Sequence, residues 1–387
     1  MHGVVPEHWR AVLVQAGEKR IYWKIIFFVV LNLGCLISSA HAHVVSKDYC
    51  AKESFTDEVS NLNCDSRYIK FNSIGLPAPS HMMMEGIEAT NQQFPTVHDY
   101  HFKIKRNPIK NSEKVKTDAG PIGVAVNGVP IFDPSTQGKA KKTTGKRPHT
   151  LLIGELDKCG GHAGRGDDYH YHVAPLCLIE QLGQDFVEVK KKPIGFAMDG
   201  YPIHAIGWVD PKNNIEDQLD ECRGYTDVDG TYFYNVMRER NWDILNCFSG
   251  KPQKFAKDNW RPRKDKNGNE IIGYPLKFSV KNYSLRKYDK QDCHIMRGVL
   301  LKEQLLLTSG RTKKIKNKEG SIFYCNPQCY GMFFQADKNS QFKGRVMYYD
   351  VADKKCPAEL KKEELVLFEP YNGPPQKYKA PQSTKKK

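Results

Sequence analysis

The sequence predicts a mainly β, disulfide-stabilised protein. It has a β-rich domain with an internal hairpin duplication, followed by a smaller cysteine-containing region of α+β or β type. Three observations carry this. Short runs of alternating apolar and polar residues, punctuated by Gly, Pro and Asn, recur from Tyr100 to Gly250, where helical periodicity is scarce. Ten of the 11 cysteines follow an N-terminal leader. An eleven-residue segment centred on Asn-Gly or Asp-Gly occurs twice.

The leader comes first. Lys19, Arg20 and Lys24 flank a mostly apolar stretch over 25–37, and the small residues Ser38, Ser39, Ala40 and Ala42 follow. This is the pattern of a signal peptide over 1–42. Thirteen residues rise only about 20 Å, short of the roughly 30 Å hydrocarbon core, so a membrane anchor fits less well. No later apolar run approaches the 18 residues of a span, so no transmembrane segment is expected after cleavage. The mature chain is expected to be secreted and to start near His43. A histidine close to the new terminus can chelate copper through the terminal amine, although two histidines at a cleavage site are more simply coincidence.

In an oxidising compartment, Cys50, Cys64, Cys159, Cys177, Cys222, Cys247, Cys293, Cys325, Cys329 and Cys356 suggest up to five disulfides rather than metal thiolates. Cys325-x-x-x-Cys329 has the look of a zinc half-site, against which the same argument weighs. Asn282-Tyr283-Ser284 is a glycosylation sequon and suggests a glycoprotein.

Beyond the leader the chain reads as four segments. Residues 43–93 form an N-terminal extension, 94–250 the β-rich domain, 251–369 a basic cysteine-containing region, and 370–387 a disordered Lys/Pro tail. Within them, 139–149 is a polar basic loop and 260–270 a linker. Charge is uneven: residues 251–387 hold 31 Lys/Arg against 14 Asp/Glu, whereas 43–250 hold 24 against 28. That asymmetry points to an anionic extracellular polymer or surface as partner of the C-terminal part, with no nucleic acid expected; a merely solvated lysine-rich surface fits equally.

The duplication is the most informative feature, its halves spanning about 121–177 and 193–247. Pro121-Ile122-Gly123-Val124-Ala125-Val126-Asn127-Gly128-Val129-Pro130-Ile131 recurs as Pro193-Ile194-Gly195-Phe196-Ala197-Met198-Asp199-Gly200-Tyr201-Pro202-Ile203. Leu156-Asp157-Lys158-Cys159 recurs as Leu219-Asp220-Glu221-Cys222, and Tyr169-His170-Tyr171-His172-Val173 as Tyr232-Phe233-Tyr234-Asn235-Val236. A cysteine trails each copy, so the simplest pairing is Cys159–Cys177 and Cys222–Cys247, with pairing across copies left open.

What both copies keep is read as scaffold. Only the first has the histidines: His162 aligns with Tyr225, His170 with Phe233 and His172 with Asn235. On a strand, His170 and His172 share one face and Tyr169 and Tyr171 the other. With His162 from a nearby loop they make a three-imidazole site for a divalent metal, zinc or copper. His204, on the second hairpin, is a fourth candidate through the pseudo-symmetry. Asp167 and Asp168 are candidate carboxylates behind the ligands, or a base. The alternative is that these are ordinary strand histidines bonded to tyrosines or backbone. Arg165-Gly166-Asp167 is an integrin-type tripeptide inside the same loop.

These residues resemble the YHYH-domain family. The match rests on the Tyr-His-Tyr-His run at 169–172, on Cys159-Gly160-Gly161-His162, on the Pro-Ile-Gly…Asp-Gly-Tyr-Pro-Ile segment at 193–203, and on the aromatic strand and cysteine at 232–247. It covers roughly residues 94–250. The resemblance implies a domain identity and an extracellular setting, and it brings no mechanism.

Two functions follow. The first is a secreted metal-binding protein, extending to a metal-dependent hydrolase or oxidase in which the ion activates a coordinated water. No nucleophilic serine or carboxylate pair is readable beside the histidines. The second is a non-catalytic matrix or surface-binding protein that uses its basic C-terminal region.

Overall fold

The computed structural model describes residues 47–348 apart from 82, 90–93, 137–139, 141, 165–166, 240, 254–255, 258–277, 289, 307–311, 326–328 and 335–346. The leader, the linker at 260–270, the tail, Cys356, Arg165 and Gly166 lie outside the described residues. The chain divides into two units, Met1–His43 and Val44–Lys387, and every described residue belongs to the second.

The first sheet has the order β1 (Val59–Cys64), β2 (Tyr68–Ser73), β3 (Tyr100–Lys105) and, at its far edge, β14 (Ala256–Lys257). Strict alternation builds it. Ile69 and Phe71 of β2 point inward opposite Ile104 and Phe102 of β3, in register, and the Phe71 and Phe102 rings lie 5.0 Å apart. The stretch read as an extension thus supplies β1 and β2, which the Cys50–Cys64 disulfide closes.

β4 (Lys110–Lys116) pairs with β13 (Cys247–Gly250). Between these pieces lies an eight-stranded sheet built from short strands. They are β5 (Pro121–Ala125), β6 (Pro130–Phe132), β7 (Gly161–Ala163), β8 (Tyr169–Tyr171), β9 (Gly195–Ala197), β10 (Pro202–His204), β11 (Gly224–Thr226) and β12 (Tyr232–Asn235). Their order is β11-β12-β10-β9-β5-β6-β8-β7. Asn127-Gly128 turns β5 into β6 and Asp199-Gly200 turns β9 into β10, with Gly128 and Gly200 at φ 76° and 96°. Gly128 has a second constraint, since a Cβ there would collide with Ser73 at the end of β2. The two hairpins meet where Val124 of β5 pairs with Phe196 of β9.

A helix, α1 (Leu176–Gln184), begins after Pro175 and buries Leu178 and Ile179. Its Cys177 is bonded to Cys159. Cys222 is bonded to Cys247, so each pairing stays within its own copy.

The described C-terminal part is a fourth sheet: β15 (Phe278–Tyr288), β16 (Gln291–Leu306), β17 (Thr312–Cys325), β18 (Cys329–Phe334) and β19 (Met347–Tyr348), in that order. Cys293 and Cys325 face each other across β16 and β17 and form a disulfide. This agrees with the disulfide reading of Cys325 over a zinc half-site, because a sulfur in a disulfide has no thiolate to offer.

Irregular chain at residues 84–89 and 94–96 runs between these parts. Met84 N–H bonds Asp157 Oδ2 at 2.9 Å, and Glu88 and Ala89 N–H both reach the Gly154 carbonyl, at 2.8 and 2.7 Å. Phe94 N–H bonds Asp167 Oδ1 at 3.2 Å, and Gly86 and Ile87 exchange backbone bonds with Val280 of β15. Among the described residues, no helix is long and apolar enough to cross a membrane.

Candidate metal centre

β7 and β8 are antiparallel, with His162 directly opposite His170. Opposed residues on paired strands project to one face, and His172, two residues beyond His170, joins them. Its N–H bonds the Gly160 carbonyl at 3.0 Å, which keeps the chain extended past the end of β8. The tyrosines of the same run go the other way into the core. Tyr169 donates to Asp157 Oδ2 at 2.8 Å, and Tyr171 accepts from Asn127 Nδ2 at 3.0 Å.

The three imidazoles converge through one kind of atom. His172 Nε2 lies 3.1 Å from His170 Nε2 and 3.1 Å from His162 Nε2, and one ligand atom from each of the three lies within 4.8 Å of the others. The opposite sides of the rings are anchored. His170 Nδ1 meets the Asp168 carbonyl at 3.0 Å and the Asp168 Oδ2 at 3.2 Å. His172 Nδ1 bonds the Asp133 carbonyl, and His162 bonds the Glu155 backbone.

A carbonyl oxygen only accepts, so Nδ1 of His170 and of His172 must carry the proton. Their Nε2 atoms then turn lone pairs toward each other at 3.1 Å, an arrangement that could hold a metal ion. With metal–nitrogen bonds of ~2.0–2.1 Å, tetrahedral geometry puts ligand nitrogens ~3.3–3.4 Å apart. The observed spacing is close to that.

Burial keeps His162 and His172 neutral. His170 and His172 are 3% and 4% exposed. Burial, then the neighbouring His170, pushes His162 down to about 3, and burial with both neighbours holds His172 well below the usual imidazole range. Phe132 stacks on His170 with ring centres 3.9 Å apart, shielding that side. Gly164 is required by the same crowding, since a Cβ there would lie 2.7 Å from His170 Cε1 and 2.8 Å from Asp168 Oδ1.

Not every expected residue arrives. His204 sits on β10, four strand spacings from β8 in the sheet order. At ~4.8 Å per spacing that is about 19 Å, too far to share an ion with the other three. It is 0% exposed, packs 4.8 Å from the Phe233 ring, and neither ring nitrogen has a hydrogen-bond partner among the described residues. Asp167 is also turned away: it is 3% exposed, with Oδ1 accepting from Phe94 N–H, so the carboxylate of Arg-Gly-Asp points inward rather than to a receptor. Asp168 does stand behind His170. Sequence reasoning missed Phe132 and the carbonyls of Asp133 and Glu155. Main-chain carbonyls have no residue signature, but Phe132 was within reach, since it aligns with His204 in the repeat.

The sheet and this cluster define a mainly β, disulfide-stabilised domain with a buried triad of imidazoles. Residues 101–217 match the family model described as YHYH protein, and the chain therefore carries a YHYH domain. The match contains all three histidines and stops before β11 and β12. No curated protein and no solved structure matches the chain.

Proposed function

We propose that this is an extracellular protein whose YHYH domain holds one divalent transition-metal ion, zinc or copper, on His162, His170 and His172. The observation that carries the reading is the pair of Nε2–Nε2 separations of 3.1 Å between rings whose other nitrogens face backbone acceptors. Imidazole donors suit zinc and copper, and hydrogen bonds behind the ligands are the usual way a protein fixes their tautomer. Three ligands leave a fourth position for water or substrate. An ion held there supplies Lewis acidity, which lowers the pKa of a bound water, and this is the basis for a hydrolase or, with copper, an oxidase. The chain's own contribution is to hold three imidazoles at fixed angles and to shield one side with Phe132. Four disulfides support an oxidising, extracellular setting.

Elemental analysis of purified protein tests this. One equivalent of zinc or copper is expected, falling to roughly a tenth or less in His170→Ala/His172→Ala while the circular dichroism spectrum is retained. Wild-type protein that stays metal-free after incubation with either ion overturns it.

A second reading concerns the basic region. Lys281, Arg286, Lys287 and Lys290 are exposed on and beside β15, which suits an anionic extracellular polymer. Salt-dependent retention on heparin, lost in Lys281→Glu/Arg286→Glu/Lys287→Glu, is the matching result.

A further inference from the structure

The second half of the eight-stranded sheet repeats the metal cradle bond for bond, without its ligands. β10 runs parallel to β12 as β6 does to β8, and β11 is antiparallel to β12 as β7 is to β8. Tyr225 faces Phe233 in the register that sets His162 opposite His170. Asp157 Oδ1 accepts from the N–H of Cys159 and Gly161 at 2.9 and 3.0 Å, and Asp220 Oδ1 from Cys222 and Gly224 at 2.8 and 2.9 Å. Tyr169 and Tyr232 hydroxyls close the two loops on Asp157 and Asp220, at 2.8 and 2.9 Å. His172 N–H reaches Gly160 O at 3.0 Å, and Asn235 N–H reaches Arg223 O at 3.0 Å. Gly164 N–H bonds Asp168 O at 2.8 Å, and Asp227 N–H bonds Thr231 O at 2.8 Å.

The differences that bear on a metal fall at six positions, two of them in the supporting loop, where Asp227 and Thr231 stand in place of Gly164 and Asp168. Tyr225, Phe233 and Asn235 stand where the ligands would be, and His204 takes the place of Phe132. The aromatic–imidazole pair is kept but reversed: Phe132 lies against His170 at 3.9 Å, and His204 against Phe233 at 4.8 Å. Asn235 uses its whole amide on backbone, accepting from Ile206 N–H at 2.8 Å and donating to Ile206 O at 3.0 Å. His204, fully buried with two unpartnered nitrogens among the described residues, is an imidazole for which that packing has no use.

We propose that the second half is a closed copy of the metal cradle, a latent site for a divalent transition metal whose three ligand positions are Tyr225, Phe233 and Asn235. The inference rests on the metal reading of the first half. The natural chain therefore binds one ion, and the second cradle opens to another when its ligand positions become histidine and its loop takes the glycine and aspartate of the first.

The test is a count of cobalt(II) bound at equilibrium dialysis, using the full chain. Wild type is expected to bind one equivalent, and Tyr225→His/Phe233→His/Asn235→His/His204→Phe/Asp227→Gly/Thr231→Asp two. A folded variant that binds no more than wild type overturns the proposal, whereas a wild-type count of zero defeats the metal reading of the first half. The reciprocal variant, His162→Tyr/His170→Phe/His172→Asn/Phe132→His/Gly164→Asp/Asp168→Thr, decides between the outcomes if the first does not fold. It is expected to fold, to bind no cobalt, and to melt within a few degrees of metal-free wild type. Failure of that variant to fold as well shows that the two cradles are not interchangeable and ends the idea.

Discussion

Asp168 offers His170 two acceptors at once, its main-chain carbonyl at 3.0 Å and its Oδ2 at 3.2 Å from the same Nδ1. The residue is 1% exposed, which places an anionic side chain in the interior directly behind the triad. It therefore both orients the ring and offsets part of the charge that an ion would bring into a buried site. Asp168→Ala is expected to weaken zinc binding about 10- to 100-fold, the usual scale for losing a partner behind a ligand. Competition against a chromogenic chelator measures it, and unchanged affinity would remove Asp168 from the account.

The buried rings also set a pH dependence. His162 at about 3, and His172 well below its usual range, stay neutral in mild acid, so protons compete weakly with the metal. Three exposed imidazoles would lose about 10³ in affinity between roughly pH 7.5 and 5.5. Here the expected loss is no more than about tenfold, read by the same competition assay at both pH values.

Metal-free stability should respond more strongly. The folded-state pKa values of His162, His172 and His204 lie below the unfolded value, so the unfolded chain takes up more protons in acid. Their contribution is full above roughly pH 6.5 and is lost as pH falls toward about 3. Asp157 acts in the opposite sense: burial raises it to about 6, so its protonation as pH falls from about 6 to the usual carboxylate range favours the fold. Burial also lowers His81 and raises Asp199, so four groups against two leave a net fall in stability on acidification, on the order of 2 kcal/mol per pH unit at its steepest. Urea denaturation of the metal-free protein near neutrality and at about pH 5 checks the sign.

Asp157 and Asp220 hold equivalent loops but differ in burial. Asp157 is 5% exposed and serves Met84, Cys159, Gly161 and Tyr169, whereas half-buried Asp220 serves Cys222, Gly224 and Tyr232. Asp157→Ala strands four buried donors and is expected to cost about 3 kcal/mol or more, with Asp220→Ala costing about 1–2 kcal/mol. Chemical denaturation midpoints rank them, and a larger loss for Asp220→Ala would contradict the burial argument.

Gly164→Ala should separate binding from folding. Its Cβ would press on His170 Cε1 and Asp168 Oδ1, beside the triad and outside the hydrophobic cluster. Metal affinity is expected to drop more than tenfold while the melting temperature of the metal-free protein moves by only a few degrees.

Much of this site was legible because a strand alternates and a repeat sorts. The i, i+2 spacing of His170 and His172 placed both on one face, and the histidine-free second copy marked them as dispensable for packing. The trailing cysteine of each copy likewise pointed to the within-copy pairing that forms. His204 was misjudged for a physical reason: a pseudo-symmetric partner belongs to its own half, where it maps onto Phe132, and the two intervening strands β9 and β5 keep it from β6. The acceptors behind His162 and His172 were invisible because any residue can present a carbonyl, and only the fold decides which one does. The role of residues 84–89 and 94–96 was hidden too, since an irregular stretch has no period to recognise.

That irregular stretch separates two units that are easily taken for one. Sequence similarity recognises residues 101–217, yet Asp157, Gly154 and Asp167, which shape the loops around the histidines, find their partners at 84–94. β11 and β12, at the far end of the same sheet, also lie beyond the recognisable span. The inherited signature is thus smaller than the folding unit. A fragment cut at the boundaries of the signature would retain all three imidazoles and the groups directly behind them, and lose the chain that braces their loops.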